Sequence, residues 1–221
     1  LEGTGAAAAL EALVPGDIRG LAVGRMRYTL LTNAAGGILD DLIVMGEADG
    51  LHLVVNAART ADDIDHIENG LAGSVRLVHL EDRALLALQG PASAQVMARH
   101  APAAVALAFM SAAPMEIAGA PCVVSRSGYT GEDGFEISLP AESVTTVARC
   151  LLDEAEVVPA GLGARDSLRL EAGLCLHGHD IDATTTPVEA ALQWTIAKRR
   201  REAGNFPGAD VVRAQLAQGP P

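Results

Sequence analysis

The sequence predicts an α+β fold built on antiparallel sheets, and three observations predict it. β-rich runs come in pairs joined by glycine-rich turns, first around Gly36-Gly37 and again across Gly128-Tyr129-Thr130-Gly131-Glu132-Asp133-Gly134. Helical segments fall between these hairpins and do not alternate one-for-one with strands, as a parallel β-α-β sheet would need. Hydrophobic residues make up 49% of the 221, enough to fill one large domain or two ordinary ones.

In chain order, residues 4–13 are Ala-rich with apolar spacing and read as a helix stopped by Pro15-Gly16-Asp17. A strand at 27–32 turns at Gly36-Gly37 into a second at 38–45, and a third covers 51–55 after Ala48-Asp49-Gly50. Residues 60–72 read as a helix and 75–79 as a short strand. The pattern then restarts with a strand at 85–88 and a helix from Pro91, whose fixed φ suits a first turn, to about His100. Val123-Val124 and Phe135-Glu136-Ile137 flank the long glycine turn as the second hairpin. Helices follow over 141–153 and 161–171.

The net charge of −12 argues against nucleic acid or an anionic membrane as the main partner. The one basic run, Lys198-Arg199-Arg200-Arg201, stands alone in an acidic chain. It reads as a solvated or salt-bridged surface segment rather than a localisation or phosphate patch. No apolar stretch approaches the roughly 18 residues of a membrane span. Cys122, Cys150 and Cys175 are odd in number and widely spaced, so neither a disulfide framework nor a zinc site is expected. Free thiols fit a reducing cytoplasm, and a chain rich in alanine with Lys198 as its only lysine points to a high-GC bacterium. The expected location is therefore the bacterial cytoplasm. The ends, Leu1-Glu2-Gly3 and Gly219-Pro220-Pro221, show neither an initiator methionine nor a signal peptide and read as those of a piece cut from a longer protein.

Generic motifs carry little. Gly161-Leu162-Gly163-Ala164-Arg165-Asp166 begins like a dinucleotide fingerprint but lacks the third glycine and a leading strand. His177-Gly178-His179-Asp180 groups two imidazoles and a carboxylate without a third ligand at metal-binding spacing, so structural or exposed histidines are expected there. Asp40-Asp41 is different, because two adjacent acids sit inside an apolar strand where Val or Ile would be favoured. Alternation sends neighbouring side chains to opposite faces, so at most one of the pair enters a given cleft. On the residues alone, a functional acid and a plain edge-strand acid both stay open. Glu136 lies between Phe135 and Ile137 after a tight turn. Its carboxylate suits a planar N–C–N edge, or an ordinary ion pair with Arg126 or Arg165. The two tyrosines of the chain, Tyr28 and Tyr129, lie near these two acids and hint at a ring-binding cleft.

Thr32-Asn33-Ala34-Ala35-Gly36-Gly37-Ile38-Leu39-Asp40-Asp41-Leu42 resembles the hairpin of the glycine cleavage T-protein, the aminomethyltransferase family. Leu88-Gln89-Gly90-Pro91, the stretch from Ser125 to Glu136, and the stretch from Pro159 to Glu171 resemble later signatures of that family in the right order. Thr186-Pro187-Val188-Glu189, Trp194-Thr195 and Phe206-Pro207-Gly208-Ala209 extend the likeness almost to the end of the chain.

The resemblance implies two antiparallel-sheet lobes, a ferredoxin-like one over residues 1–82 carrying the Asp-Asp hairpin and a second over 83–197 carrying a pterin-binding hairpin. It implies that residues 198–221 start a linker to a C-terminal barrel, and that a further segment precedes Leu1. The implied activity transfers a one-carbon unit from an aminomethyl group on the lipoyl arm of the H-protein to tetrahydrofolate, releasing ammonia. Asp41 takes the place of the catalytic carboxylate, Glu136 that of the pterin-binding glutamate, Tyr28 and Tyr129 those of aromatic residues near the folate. Arg165 matches a folate- or substrate-binding arginine, and no metal is implied. The same scaffold serves folate-dependent demethylases and the folate domains of dimethylglycine- and sarcosine-oxidising enzymes, which keep both acids. Related folate-binding proteins of iron–sulfur maturation carry Lys-Gly-Cys-Tyr-x-Gly-Gln-Glu, whereas 172–180 here has neither that lysine nor the Gln-Glu.

Overall fold

The computed structural model describes residues 1–71 and 75–220, which form an α+β protein with two antiparallel sheets. The chain divides into two compact units, Leu1–Val78 together with Cys175–Pro221, and His79–Leu174.

In the first unit, strands β1 (Met26–Thr32), β2 (Ile38–Glu47) and β3 (Gly50–Val55) form a meander in the order β1-β2-β3. Both faces of this sheet are covered, which is why β2 reads as a nearly unbroken apolar run. Leu31, Leu42, Val44 and Leu51 bury against Leu10 of helix α1 (Ala6–Glu11) and Ile67 of helix α2 (Thr60–Gly70), with Val14 and Ile18 between them. Leu30 and Ile38 bury against Ile181 and Leu192, which return from the far end of the sequence. The hairpin turn is glycine because it is crowded. A Cβ on Gly37 would collide with the Ala183 carbonyl, and Gly36 has φ 86°.

Three local expectations change. Residues 75–79 keep the apolar alternation, with Val75 and Leu77 on the core, yet among the described residues only Arg76 finds a backbone partner, in Glu2. Alternation without a neighbouring strand gives a bridge and no ladder. The expected end of α2 at residue 72 lies outside the described residues, and Leu71 has already left helical geometry. Residues 198–221, expected as a linker, contain helices α6 (Lys198–Ala203) and α7 (Ala209–Gln218). Phe206, Ala209 and Val212 close a small core there with Ile196.

The second unit carries β4 (Arg83–Gln89), β5 (Ala112–Ile117), β6 (Ala120–Ser125) and β7 (Gly134–Pro140) in the order β4-β7-β6-β5. Helices α3 (Ser93–His100) and α4 (Val144–Leu152) cover it through Val96, Met97, Val147 and Leu151, which pack on Val124, Phe135, Ile137 and Leu139. Helix α5 (Leu162–Glu171) follows. β5 has no counterpart among the sequence expectations. It is an edge strand containing Pro114, and its turn into β6 places Ala118, not an Asn or Asp, at positive φ beside Gly119.

Candidate functional site

The Asp-Asp pair sits on the central strand of the first sheet, and its aim is set by a bulge. Thr32 pairs with Ile38, but Leu31 pairs with Asp40, leaving Leu39 as one extra residue on β2. Directly opposed residues share a face. Asp40 therefore shares the face of Leu31, which packs toward α1 and α2, and Asp41 shares the face of Leu30, which packs toward residues 181 and 192. A bulge of this kind re-aims side chains that strict alternation would place otherwise.

Asp40 is fully buried and Asp41 is half-buried. Both carboxylates are tied to Asn56, the residue that follows β3. Asn56 Nδ2 donates to Asp40 Oδ1 at 2.8 Å and to Asp41 Oδ1 at 2.9 Å, and the Asp41 backbone N–H donates to Asp40 Oδ1 at 2.9 Å. Tyr28 makes a side-chain hydrogen bond to Asp41. Burial pushes the Asp41 carboxyl up from its ordinary range and the Asp40 charge adds to that push. The hydrogen bonds from Asn56 and Tyr28, with the charge of His177, oppose it. The net direction is upward. A half-buried carboxylate, raised in pKa and held by two donors, is equipped to accept a proton from a weakly acidic nitrogen or to return one.

Around this carboxylate, the Tyr28 ring stacks on Trp194 with centroids 5.6 Å apart and planes at 22°, while Trp194 remains 65% exposed. His177 comes within 3.3 Å of the Ile38 carbonyl through Nε2 and within 3.8 Å of Asp40 Oδ1 through Nδ1. His179 is exposed, and Asp180 accepts from the Leu176 N–H. Among the described residues no group of three His, Cys, Asp or Glu is arranged for a metal ion.

Glu136 lies in the second unit, on β7 opposite Ser125. It has no arginine partner among the described residues; Ser127 Oγ donates to its Oε2 at 2.5 Å. Arg126 instead forks onto both oxygens of Asp133 at 2.9 and 2.7 Å and closes the loop between β6 and β7. Gln89 at the end of β4 buttresses that loop, donating to the carbonyls of Ser127 and Phe135. A Cβ on Gly128 or Gly134 would displace the Gln89 amide from the two carbonyls it donates to. Tyr129 projects from the same loop, and the Arg165 guanidinium of α5 lies 4.6 Å from its ring centroid. Glu136, Tyr129 and Arg165 thus belong to one unit, as Asp41 and Tyr28 belong to the other.

The fingerprint-like stretch, 161–166, is the N-cap Gly161 followed by the first residues of α5. The basic run is salt-bridged at Arg199, to Glu11 and Asp17 at 2.6 Å each, but Arg200 is buried. Asn56 and Ser127 were not among the residues singled out from sequence. They are ordinary polar residues whose importance comes only from what the fold places beside them.

Residues 1–200 match the family model of the GCVT N-terminal domain. The chain belongs to this family. It is 51% identical over 215 residues to a mitochondrial aminomethyltransferase of Homo sapiens, covering 94% of this chain and 53% of that protein. It is 44% identical over 222 residues to a mitochondrial aminomethyltransferase of Dictyostelium discoideum, covering 93% and 55%. The crystal structure of glycine cleavage system aminomethyltransferase T from Bartonella henselae superposes with a TM-score of 0.92 at 43% identity, over 99% of this chain and 60% of that one. The chain therefore spans about half the length of the curated relatives it matches.

These relatives overturn the expectation of a bacterial cytoplasmic location, since those of Dictyostelium, potato and human are named mitochondrial. Free thiols argue only against an oxidising compartment, and alanine and lysine content carries no address. No described helix is long and apolar enough to cross a membrane.

Proposed function

We propose that this chain carries the one-carbon-transfer chemistry of a glycine cleavage aminomethyltransferase. In this reading it moves the carbon of an aminomethyl group, borne on the lipoyl arm of the H-protein, to tetrahydrofolate, with release of ammonia. Support comes from family membership and from the state of Asp41: a single half-buried carboxylate, pushed upward in pKa, aimed by a bulge and held by Asn56 and Tyr28.

Forming methylene-tetrahydrofolate makes two bonds from folate nitrogens to the aminomethyl carbon and breaks its bonds to the amine and to the lipoyl sulfur. The two displaced protons end on ammonia and the thiol, and the first nitrogen to attack must shed its proton. Asp41 is the group proposed to take that proton, and its raised pKa brings its basicity toward what a neutral-pH proton acceptor needs. Recognition of the pterin is proposed for Glu136, whose two oxygens can accept paired N–H donors from a planar N–C–N edge. Ser127 donates to only one of those oxygens. Tyr129, with Arg165 against its ring, offers an aromatic surface for stacking.

The deciding experiment replaces Asp41 with Asn in the full-length protein. Asn keeps shape and polarity but accepts no proton. The expected result is turnover lowered by about 10²- to 10⁴-fold, the usual worth of a positioned general base, with tetrahydrofolate affinity retained by calorimetry. Wild-type turnover in the variant would sink the assignment.

A further inference from the structure

In the second unit, the ends of α3 and α4 bring a thiol, an imidazole and a carboxylate into one chain of contacts. Cys150 Sγ, in the last turn of α4, lies 3.3 Å from Nδ1 of His100, the last residue of α3. His100 Nε2 lies 2.7 Å from Oε1 of Glu154, just beyond α4. Arg99 Nη2 reaches the other oxygen of Glu154 at 2.7 Å and an oxygen of Glu156 at 3.0 Å. The Arg99 guanidinium holds the Glu154 carboxyl below its ordinary range, so Glu154 is a carboxylate and only accepts. The hydrogen of its contact with His100 therefore sits on Nε2. A neutral imidazole then turns the lone pair of Nδ1 toward the thiol.

We propose that Cys150 is a thiol-modification site for small disulfides, with His100 as its base and Glu154 orienting the imidazole. A nucleophile within reach of a base, itself oriented by a third group, is the arrangement that activates a thiol. The thiol proton passes to His100 Nδ1 as the Cys150 sulfur attacks one sulfur of the disulfide. A new S–S bond forms and the old one breaks. The departing sulfur leaves as a thiol, taking the proton that His100 held. Cys150 is oxidised and the departing sulfur is reduced, so the disulfide is the only co-reactant.

The surroundings favour the pair over a free anion. An imidazolium on His100 is stabilised by Glu154 and by the carbonyl end of α3. Cys150 sits at the carbonyl end of α4, which opposes a lone negative charge, so a thiolate there depends on the imidazolium beside it. Arg149 and Asp153 flank the thiol in sequence, and Glu156 is taken by Gln95 and Arg99. Exposure separates this thiol from the other two. Cys150 is half-buried, whereas Cys122 is 3% exposed in the core and burial pushes its thiol up. Cys175 packs against Leu30, Ile38, Ile181 and Leu192 in the first unit.

The test incubates the full-length protein with glutathione disulfide at neutral pH and follows each thiol by peptide mass spectrometry. Cys150 should carry the adduct first. Its rate should exceed that of every other thiol by about tenfold, since an unassisted thiol is ionised only to a few per cent at neutral pH. His100→Asn should lose that advantage, again about tenfold, because the amide accepts no proton. The gap between wild type and His100→Asn should close above about pH 9, where an ordinary thiol ionises unaided. A gap that persists there overturns the assignment of His100 as the base, because a change in access alone would leave it at every pH. If another thiol of the wild-type protein reacts as fast as Cys150, the proposal is overturned even where His100→Asn fails to fold.

Discussion

Asn56 and Tyr28 each give Asp41 a hydrogen bond that favours its charged form, and burial works the other way. The balance leaves the carboxyl above its ordinary range, so its readiness to hold a proton depends on which donors are present. Tyr28→Phe removes one donor while keeping the ring that stacks on Trp194. Losing a donor to the charged form raises the pKa further. If Asp41 must be ionised to accept a proton, the acid limb of the kcat/KM profile should move to higher pH in Tyr28→Phe, with activity above that limb largely recovered. A profile that drops uniformly at all pH values would instead assign Tyr28 to substrate contact alone.

At the scale of elements, the hairpins were legible because their turns need particular residues. Gly37 faces the Ala183 carbonyl, and Gly128 and Gly134 face Gln89, so sequence and geometry agree there. The bulge at Leu39 was not legible, since Leu fits a regular strand as well as a bulged one, and only the pairing of Leu31 with Asp40 reveals it. For the same reason strand alternation could separate Asp40 from Asp41 but not say which faced which way. Glu136 was visible as an oddly placed acid. The ion pair left open for it with Arg126 or Arg165 does not form, because Arg126 is taken by Asp133 within the same loop and Arg165 lies against the Tyr129 ring. Glu136→Ala therefore removes a β7 carboxylate that pairs with no arginine among the described residues and leaves the Arg126–Asp133 clasp and the Gln89 buttress intact. Tetrahydrofolate affinity should fall by about 10- to 100-fold, the worth of hydrogen bonds to a charged group, with the melting temperature nearly unchanged. An unaltered dissociation constant would remove Glu136 from pterin recognition.

For the molecule as a whole, the unexpected feature is that residues after 174 return to the first unit and complete it. A run of four basic residues carries no sign that one of them is interior. Yet Arg200 is 1% exposed, donates to the carbonyls of Glu11 and Val14, and lies 3.6 Å from the Glu11 carboxylate. Those carbonyls lie at and just beyond the end of α1, where a helix leaves its last acceptors unsatisfied. Arg200→Met fills the volume but strands both carbonyls, at about 1–3 kcal/mol for each buried group left unsatisfied, while Glu11 keeps Arg199 and the Ile18 and Arg19 backbone N–H groups. The melting temperature should drop by on the order of 10 °C. The pH dependence separates this from simple misfit. Burial opposes the charge on Glu11, but the Arg199 hydrogen bond, the Arg19 backbone N–H and the Arg200 charge together hold its pKa below the usual 4.5. A depressed carboxyl contributes stability that is present above the unfolded pKa and is lost as pH falls through the folded one. Thermal denaturation between pH 7 and pH 3 should therefore show stability falling below about pH 4.5, a fall that Glu11→Gln flattens. If Arg200→Met melts like the wild type at pH 7, the C-terminal helices are not structural partners of α1.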